Sequence, residues 1–332
     1  MKSIIVTDTH LGIKNNSKFW LDLTYNLFVE VVDRCEREGI NSVIFMGDFF
    51  HNRKTLNVLS IDKSHDICSL FCESNITLYL IRGNHDQYFN NQSDPHSLKQ
   101  FEEYSYVNVI NDVYKFDDKH HLVPWGSDIS VIPDDTTLFG HFEINNVIIN
   151  ASGGHMDNAK YKISDFKRFG VVYSGHFHTP SNNNNITYIG SAFAMDFNDV
   201  NSKRGYYIYD DGDMEFIEYT DAPKFVKIKS SYDITEDMIK NNFIELTFVE
   251  DYGNVKNDKL IQDVTNMKPE KLFVKYNIDT SDNELVMDEG DEFSIDNNRD
   301  IFLGYIDQVK DIPKNINKKM LKNVLSKLEE GE

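Results

Sequence analysis

The chain has 332 residues, a formal net charge of −20 at pH 7, and a composition that is 40% hydrophobic and 13% aromatic. This length allows one large domain or two moderate ones, and the composition is sufficient for a packed core. No run of about 18 apolar residues occurs, which excludes a membrane-spanning helix; we also expect no signal peptide, because a strand begins within the first residues. The acidic charge argues against strong non-specific binding of nucleic acid by this chain alone.

The three cysteines, Cys35, Cys68 and Cys72, lie in predicted helices and form no CxxC pair. Cysteines of this kind are typical of buried thiols in a reducing compartment. The sequence therefore predicts a cytoplasmic protein without disulfides.

The first hundred residues alternate between strand and helix patterns. Apolar strands end near Val6, Met46 and Ile81, and helical spacing of apolar residues predicts helices over residues 19–38 and 56–73. Such a series predicts parallel strands joined by right-handed crossovers. A further short helix is predicted to run from Asp94, as its N-cap, to Tyr104.

From residue 107 the pattern changes to short strands separated by turn residues. The turn at residues 210–213 predicts a hairpin, and the asparagine run at 182–185 predicts a loop tip. The predicted strands are 107–110, 113–116, 121–123, 138–139, 147–149, 187–189, 206–209 and 214–219. Together the two halves predict an α/β (α+β) fold with two mixed sheets that face each other and carry helices outside.

The segment after Ala222-Pro223 predicts a separate small unit of three strands and two helices over residues 224–277. Residues 281–299 are acidic and rich in asparagine, which predicts a linker. Residues 313–328 predict a short amphipathic helix that must dock either on its own chain or on a partner. The predicted domains are 1–222, 223–300 and 301–332.

Aspartate, asparagine and histidine residues collect at the ends of four predicted strands. Strand ends of this kind suggest one site assembled along one edge of a sheet, and these side chains without cysteine favour a divalent metal such as Mn, Fe or Zn. Asp48 is the natural bridge between two metals. The four stretches are Asp8-Thr9-His10, Gly47-Asp48-Phe49-Phe50-His51, Gly83-Asn84-His85-Asp86 and Gly175-His176-Phe177-His178.

In order and spacing these four motifs resemble the calcineurin-like metallophosphoesterases, over roughly residues 1–220. The resemblance implies a β-sandwich flanked by helices and two divalent metal ions, with Mn²⁺ preferred and Mg²⁺, Fe²⁺ or Zn²⁺ as alternatives. It also implies one further histidine ligand, for which His141 is favoured over His155. The implied ligands are Asp8, His10, Asp48 and His178 for the first metal, and Asp48, Asn84, His176 and His141 for the second.

The same resemblance implies roles for residues that are not ligands. Hydroxide generated at the metals would attack a phosphate ester, and His85 would stabilise charge or protonate the leaving oxygen. Asp86 would orient His85, and His51 would serve exonuclease action. Four other histidines match no motif and are predicted at the surface or on helices: His65, His96, His120 and His121.

Within the family, the sequences around His10, His51 and Lys203-Arg204-Gly205-Tyr206 resemble the SbcD-type repair nuclease subunits, including the phage-type recombination endonuclease subunits. This implies an exo- and endonuclease for single- and double-stranded DNA ends. It also implies an SMC-like coiled-coil ATPase partner, bound through the C-terminal helix, and a homodimer within a heterotetramer. The alternatives are a small-molecule or nucleotide phosphodiesterase and a non-catalytic scaffold; the second is disfavoured because all motif ligands are present.

Overall fold

The structure, a computed structural model, describes residues 1–145, 159–200, 202–230, 233–249 and 254–276. The helices in these ranges are α1 (Ile13–Asn16), α2 (Lys18–Glu38), α3 (Val58–Ser74), α4 (Glu236–Ile239) and α5 (Asn254–Asn266). The strands are β1 (Lys2–Val6), β2 (Ser42–Phe45), β3 (Thr77–Ile81), β4 (Val107–Ile110), β5 (Tyr114–Lys115), β6 (His120–Val123), β7 (Thr137–His141), β8 (Ile144–Asn145), β9 (Tyr161–Lys162), β10 (Val172–Gly175), β11 (Ser181–Asn183), β12 (Ile186–Tyr188), β13 (Gly205–Asp210), β14 (Asp213–Glu218), β15 (Phe225–Lys229), β16 (Phe243–Phe248) and β17 (Lys271–Tyr276). Short 3₁₀ helices are found at Ser97–Phe101, Ile129–Val131 and Ile163–Phe166.

The chain divides into two compact units, Met1–Ile278 and Asp279–Glu332. The second unit lies outside the described residues, and with it the linker predicted at 281–299 and the helix predicted at 313–328. His155 and the strand predicted at 147–149 also lie outside them. In the described part of the chain, no helix combines the length and the apolar character that crossing a membrane requires.

The first sheet has six strands in the order β14-β13-β1-β2-β3-β4. Strands β1 to β4 run parallel, and the hairpin β13-β14 joins antiparallel to β1. Ile4, Ile5 and Val6 are fully buried, as expected for a parallel strand that is covered on both faces. The predicted parallel series is therefore confirmed, with α2 between β1 and β2 and α3 between β2 and β3.

The second sheet also has six strands, in the order β11-β12-β10-β7-β6-β5. Its four central strands run parallel, with an antiparallel strand at each edge. Ile5, Ile44 and Met46 of the first sheet form one buried cluster with Phe139 and Tyr173 of the second. This cluster lies between the sheets, so the predicted sandwich of two mixed sheets is confirmed.

The helices cover the outer face of the first sheet. Helix α2 buries a stripe that includes Trp20, Leu27 and Phe28, and it ends at Gly39, whose φ of 64° suits a residue without a side chain. Helix α3 begins at Asn57, whose side chain accepts the Leu59 N–H. Both helices were predicted within two residues of their ends. The three cysteines lie on these helices as free thiols, and Cys72 is only half-buried.

Two local predictions were wrong. The predicted helix from Asp94 is a single 3₁₀ turn that begins after His96, because its backbone is held by the preceding loop: Ser97 N–H donates to the Asp86 carbonyl at 2.7 Å. The asparagine run is not only a loop tip, since Ser181–Asn183 pairs with β12 and only the next residues turn. Backbone pairing at a sheet edge explains this, because it does not depend on the side chains.

The histidines without a motif were predicted at the surface or on helices, which is wrong for three of them. His96, His120 and His121 are buried, and only His65 lies on a helix as predicted. Burial of His120 is compensated by two partners, since its ring nitrogens lie 2.7 Å from Asp117 Oδ1 and 2.8 Å from the Tyr209 hydroxyl.

Beyond Pro223, strands β15-β16-β17 form a small parallel sheet with α4 and α5, as the sequence predicted. This part has its own buried cluster, which includes Ile244 and Leu246. It also contacts the larger part directly, because the Trp20 ring stacks on Phe243 with centroids 5.6 Å apart. Both parts belong to the compact unit Met1–Ile278, so a separate domain beginning at residue 223 stays a prediction.

Candidate metal centre

The structure brings all seven predicted metal ligands together at one end of the sandwich. The carboxyl ends of parallel strands lie at the same edge of a sheet, and here five such ends from the two sheets meet. The ligands are Asp8 and His10 after β1, Asp48 after β2, Asn84 after β3, His141 at the end of β7, and His176 and His178 after β10.

The first group of ligand atoms surrounds His10 Nε2. This nitrogen lies 3.0 Å from His178 Nε2, 3.6 Å from Asp48 Oδ2 and 3.9 Å from Asp8 Oδ1. Two imidazole nitrogens and two carboxylates that converge in this way form a donor set that suits a divalent ion. The group matches the predicted first metal site.

The second group surrounds the side-chain oxygen of Asn84. Asn84 Oδ1 lies 2.9 Å from His141 Nε2 and 3.0 Å from His176 Nδ1, and His141 Nε2 is 3.4 Å from Asp48 Oδ2. The same Asp48 oxygen therefore reaches both groups, as a carboxylate that bridges two metals must. The group matches the predicted second metal site.

The orientation of His141 tests whether this donor set fits a metal. Its Nδ1 donates to the Met46 carbonyl at 2.7 Å, so in the neutral ring Nε2 points its lone pair at the Asn84 oxygen. Two acceptor atoms at 2.9 Å repel each other unless a cation lies near both. The residues therefore fit a bound divalent ion, with nitrogen and oxygen ligands and no sulfur.

The backbone at the ligand positions has an uncommon conformation. Asp8, His10, Asp48 and His176 have φ angles of 52°, 45°, 57° and 88°, in the left-handed region that residues with a side chain seldom occupy. Such conformations are unfavourable in free energy, and they persist where the surrounding structure enforces them, often at functional sites. Here they accompany the sharp turns that carry the ligands away from their strands.

The carboxylate of Asp86 holds the second and third motifs together. It accepts backbone N–H groups from Asp48 at 2.9 Å and from Gly83 at 2.9 Å, and also from the two residues that follow Asp48. The contacts of Asp86 are with backbone N–H groups, so its role in orienting His85 stays a prediction. His85 is held by its own Nδ1, which donates to the His51 carbonyl at 2.6 Å, and by its N–H, which donates to Asp48 Oδ1 at 2.8 Å.

The two histidines predicted to act on the substrate lie beside the first group of ligands. The His85 ring centroid is 4.8 Å from that of His10, and the His51 centroid is 5.5 Å from it. The rings of His51 and His85 are nearly parallel, 5.9 Å apart, and both residues are half-buried. Their positions allow contact with a phosphate at the metals; their roles stay predictions.

The family model described as "Calcineurin-like phosphoesterase" matches residues 1–180, more than half of the chain. The chain belongs to this family. The match contains all four motifs and His141, so the family resemblance seen in the sequence is confirmed. The protein is accordingly a metal-dependent phosphoesterase, an enzyme class that uses divalent ions.

Two relatives are similar to this phosphoesterase. "Exonuclease subunit 1" of Enterobacteria phage T4 is 27% identical over 222 residues, which are 63% of this chain and 65% of that protein. The match therefore spans just under two thirds of the relative's length. The crystal structure of Pseudomonas putida nuclease MPE shares 16% identity and covers 62% of this chain and 84% of its own, with a TM-score of 0.29.

Burial and mutual attraction set the protonation of the ligands in the metal-free phosphoesterase. Burial lowers the pKa values of His10 and His176, which favours the neutral rings that metals bind. Burial also disfavours the charged forms of His141 and Asp48, but the attraction between the imidazolium and the carboxylate is stronger. The pKa of His141 therefore rises to about 9, and the pKa of Asp48 falls well below its usual value. Burial, together with Asp48, raises the pKa of Asp86 to about 6.

Two residues near the second group were not predicted to have a role. Glu143 Oε1 lies 3.8 Å from His176 Nε2, the ring nitrogen opposite the one that faces Asn84. The Trp125 ring centroid lies 5.0 Å from that of His176. Neither residue belongs to a motif. The one available signal was the position of Glu143 two residues after His141.

Replacing Glu143 by glutamine is expected to weaken binding of one of two Mn²⁺ ions by about 10–100-fold, because carboxylates behind ligand histidines fix the ring and raise its basicity. Calorimetric titration of the metal-free phosphoesterase with Mn²⁺ measures this change. Glu38→Gln is the matched control, since Glu38 is also partly exposed but pairs with Lys2 away from the site. Equal affinities in wild type and Glu143→Gln would contradict the role.

Replacing Gly83 by alanine is expected to lower the free energy of unfolding by about 1–3 kcal/mol, the usual cost of overpacking. A Cβ at Gly83 would overlap the backbone nitrogen and Oδ1 of Asp48, which cannot move without breaking the Asp86 contacts. Gly170→Ala is the control, because a Cβ at Gly170 would lie 3.3 Å from its nearest neighbour, the Asp135 carbonyl oxygen. Its free energy of unfolding is expected to change by no more than about 0.5 kcal/mol. Urea unfolding in EDTA compares the two; equal stabilities would refute the close-approach argument.

Proposed function

We propose that this phosphoesterase is a two-metal nuclease that hydrolyses phosphodiester bonds at DNA ends, with exonuclease and endonuclease action in recombination and double-strand-break repair. The observation that carries the proposal is the similarity to a phage exonuclease subunit over 63% of the chain. The close grouping of seven ligands with His85 and His51 supports the same chemistry. Mn²⁺ is the proposed metal, because nitrogen and oxygen ligands without sulfur suit it.

The residues around the predicted metal ligands have different roles in hydrolysis. When bound, the two ions would supply Lewis acidity and an activated water as the nucleophile. His85 is held by the His51 carbonyl through Nδ1, which leaves Nε2 for the substrate. A protonated Nε2 can donate either to a phosphoryl oxygen or to the leaving oxygen. Asp48 joins both ligand groups and also fixes the His85 backbone.

We also propose a partner and an assembly. The relative of phage T4 is named as a subunit, which supports a nuclease with more than one kind of chain. An SMC-like coiled-coil ATPase, bound by the predicted helix at 313–328, would supply DNA-binding surface that a chain of net charge −20 lacks. Residues 223–300 would cap the site. Two copies of each chain would form a heterotetramer.

The test is hydrolysis of linear single- and double-stranded DNA by the full chain, with Mn²⁺ and with EDTA as the control. Metal-dependent release of nucleotides or fragments is the expected result. Turnover of bis-p-nitrophenyl phosphate alongside intact DNA, both without and with the ATPase, would refute the nuclease and favour a small-molecule or nucleotide phosphodiesterase. Deletion of residues 310–332 tests the partner: the truncated chain should keep phosphodiesterase activity and lose ATPase binding.

A further inference from the structure

A cleft of about 940 Å³ lies beside the second group of metal ligands. Asn84 and Glu143 form the side of the cleft next to the metal centre, and Trp125 lies on the same wall. The volume of the cleft is near the upper end of the range of about 300–1,000 Å³ that is typical of ligand sites. A substrate whose phosphate lies at the metals would therefore extend into this cleft, here called the Trp125 cleft.

The backbone of Trp125 is held by Arg82. The Trp125 backbone N–H donates to the Arg82 carbonyl at 2.8 Å, and Arg82 Nη2 donates to the Trp125 backbone carbonyl at 3.1 Å. Arg82 is itself buried, and its Nε donates to Asn111 Oδ1 at 2.6 Å. The indole is half-buried, with ring centroids 5.0 Å from His176 and 5.9 Å from His141. An aromatic surface on a held backbone thus lies next to two predicted metal ligands.

The rest of the cleft offers polar groups to a ligand. The exposed side chains of Asn91, Gln92 and Ser93 line it. Arg53 and Lys160 also line it as cations that could reach phosphates, whereas Asp94, Asp112 and Glu143 bring negative charge. This mixture does not form a continuous basic groove for a duplex. It suits a short stretch of one strand, with few phosphate contacts and an aromatic surface for a base.

We propose that the Trp125 cleft binds the nucleotide next to the scissile phosphate and that the Trp125 indole stacks on its base. This inference rests on the proposed nuclease function and names the substrate form that the site takes. A base inside a duplex has both faces covered by its neighbours, so an internal base must leave the stack before it can stack on Trp125. An unpaired nucleotide meets no such barrier, so the cleft favours single-stranded DNA over the interior of a duplex.

The test is an abasic scan with the full Mn²⁺-loaded chain. A single-stranded oligonucleotide carries one abasic residue, and the rate of cleavage at each bond is measured. Wild type should cut about tenfold more slowly at the bond beside the abasic residue, because stacking contributes roughly 1–3 kcal/mol per base. Trp125→Leu, which keeps apolar contact with His176, should lose this dependence. Trp125→Phe should keep most of it.

Tyr114→Ala is the matched control, because Tyr114 is 41% exposed and contacts Tyr79 rather than the cleft. It should show the wild-type dependence on the abasic residue. Each enzyme is compared with itself on the two substrates, so a general loss of activity in Trp125→Leu does not disturb the comparison. Equal rates with and without the base in wild type, or an undiminished dependence in Trp125→Leu, would overturn the inference alone. A wild type that hydrolyses no DNA, both without and with the ATPase, would refute the proposed function as well.

Discussion

Replacement of Asp48 by asparagine is expected to slow Mn²⁺-dependent phosphodiester hydrolysis by at least about 10³-fold, equivalent to roughly 4 kcal/mol in the barrier. Asp48 Oδ2 lies 3.6 Å from His10 Nε2 and 3.4 Å from His141 Nε2, so it is the one described carboxylate that reaches both ligand groups. Asparagine keeps the shape and can still accept the His85 N–H. It has no negative charge and cannot bridge two cations, so at least one ion should be lost.

The metal content and the rate on bis-p-nitrophenyl phosphate are measured together for this variant. Asp117→Asn is the matched control, because Asp117 also pairs with a buried histidine, His120, at 2.7 Å but lies outside the ligand groups. Its rate should stay within about twofold of wild type. An Asp48→Asn enzyme that binds two Mn²⁺ ions and keeps a tenth of the activity would contradict the bridging role.

Much of the fold was predictable because buried parallel strands and amphipathic helices leave different periods in the sequence. Strand β3 was predicted to end near Ile81, where the observed strand ends, since a continuous apolar run stops just before a glycine. The grouping of the predicted ligands was predictable for a related reason: strands of a parallel sheet end at the same edge, so polar residues after several strands lie close together. His141 illustrates the limit, because its strand was predicted to end at residue 139 and the observed strand includes it.

Side-chain direction inside a tight turn was not predictable. The family resemblance implied that Asp86 orients His85, the residue directly before it. The chain turns so sharply there that the Asp86 carboxylate meets the backbone N–H groups of Asp48 and Gly83. Only the three-dimensional approach of the β2 and β3 loops creates that contact. Sequence spacing does not predict this contact, and it does not predict the approach of Glu143 to His176 either.

Buried polar residues outside motifs were the other failure. His120 has no motif and a polar side chain, so a surface position was the simple expectation. Its burial is stabilised by Asp117, three residues earlier, and by Tyr209 on the other sheet. The second partner is 89 residues away in sequence, and nothing local indicates it.

The choice of His141 over His155 is supported by the contact of His141 with Asn84 at 2.9 Å, while His155 lies outside the described residues.

Replacement of His85 by glutamine is expected to lower kcat on DNA by about 10²–10³-fold while both metal ions stay bound, as for the loss of an acid or a charge-stabilising donor. His85 is not one of the seven predicted metal ligands. Its ring is held by Nδ1, which donates to the His51 carbonyl, so the substitution should leave the ligands in place. Glutamine can still donate a hydrogen bond to that carbonyl, but it cannot deliver a proton from the opposite ring nitrogen. Metal content by calorimetry and single-turnover rates on DNA measure the two properties separately.

The choice of substrate separates the two roles of His85. The DNA alkoxide is a poor leaving group that needs a proton, whereas p-nitrophenolate leaves readily without one. If His85 is the general acid, the loss in His85→Gln should be at least tenfold larger on DNA than on bis-p-nitrophenyl phosphate; equal losses would assign it to charge stabilisation of the phosphoryl oxygens. His65→Gln is the matched control, since His65 lies on α3 and bonds the Tyr104 hydroxyl. Full activity in His85→Gln on both substrates would exclude either role, and the stacked His51 ring would then become the group to test.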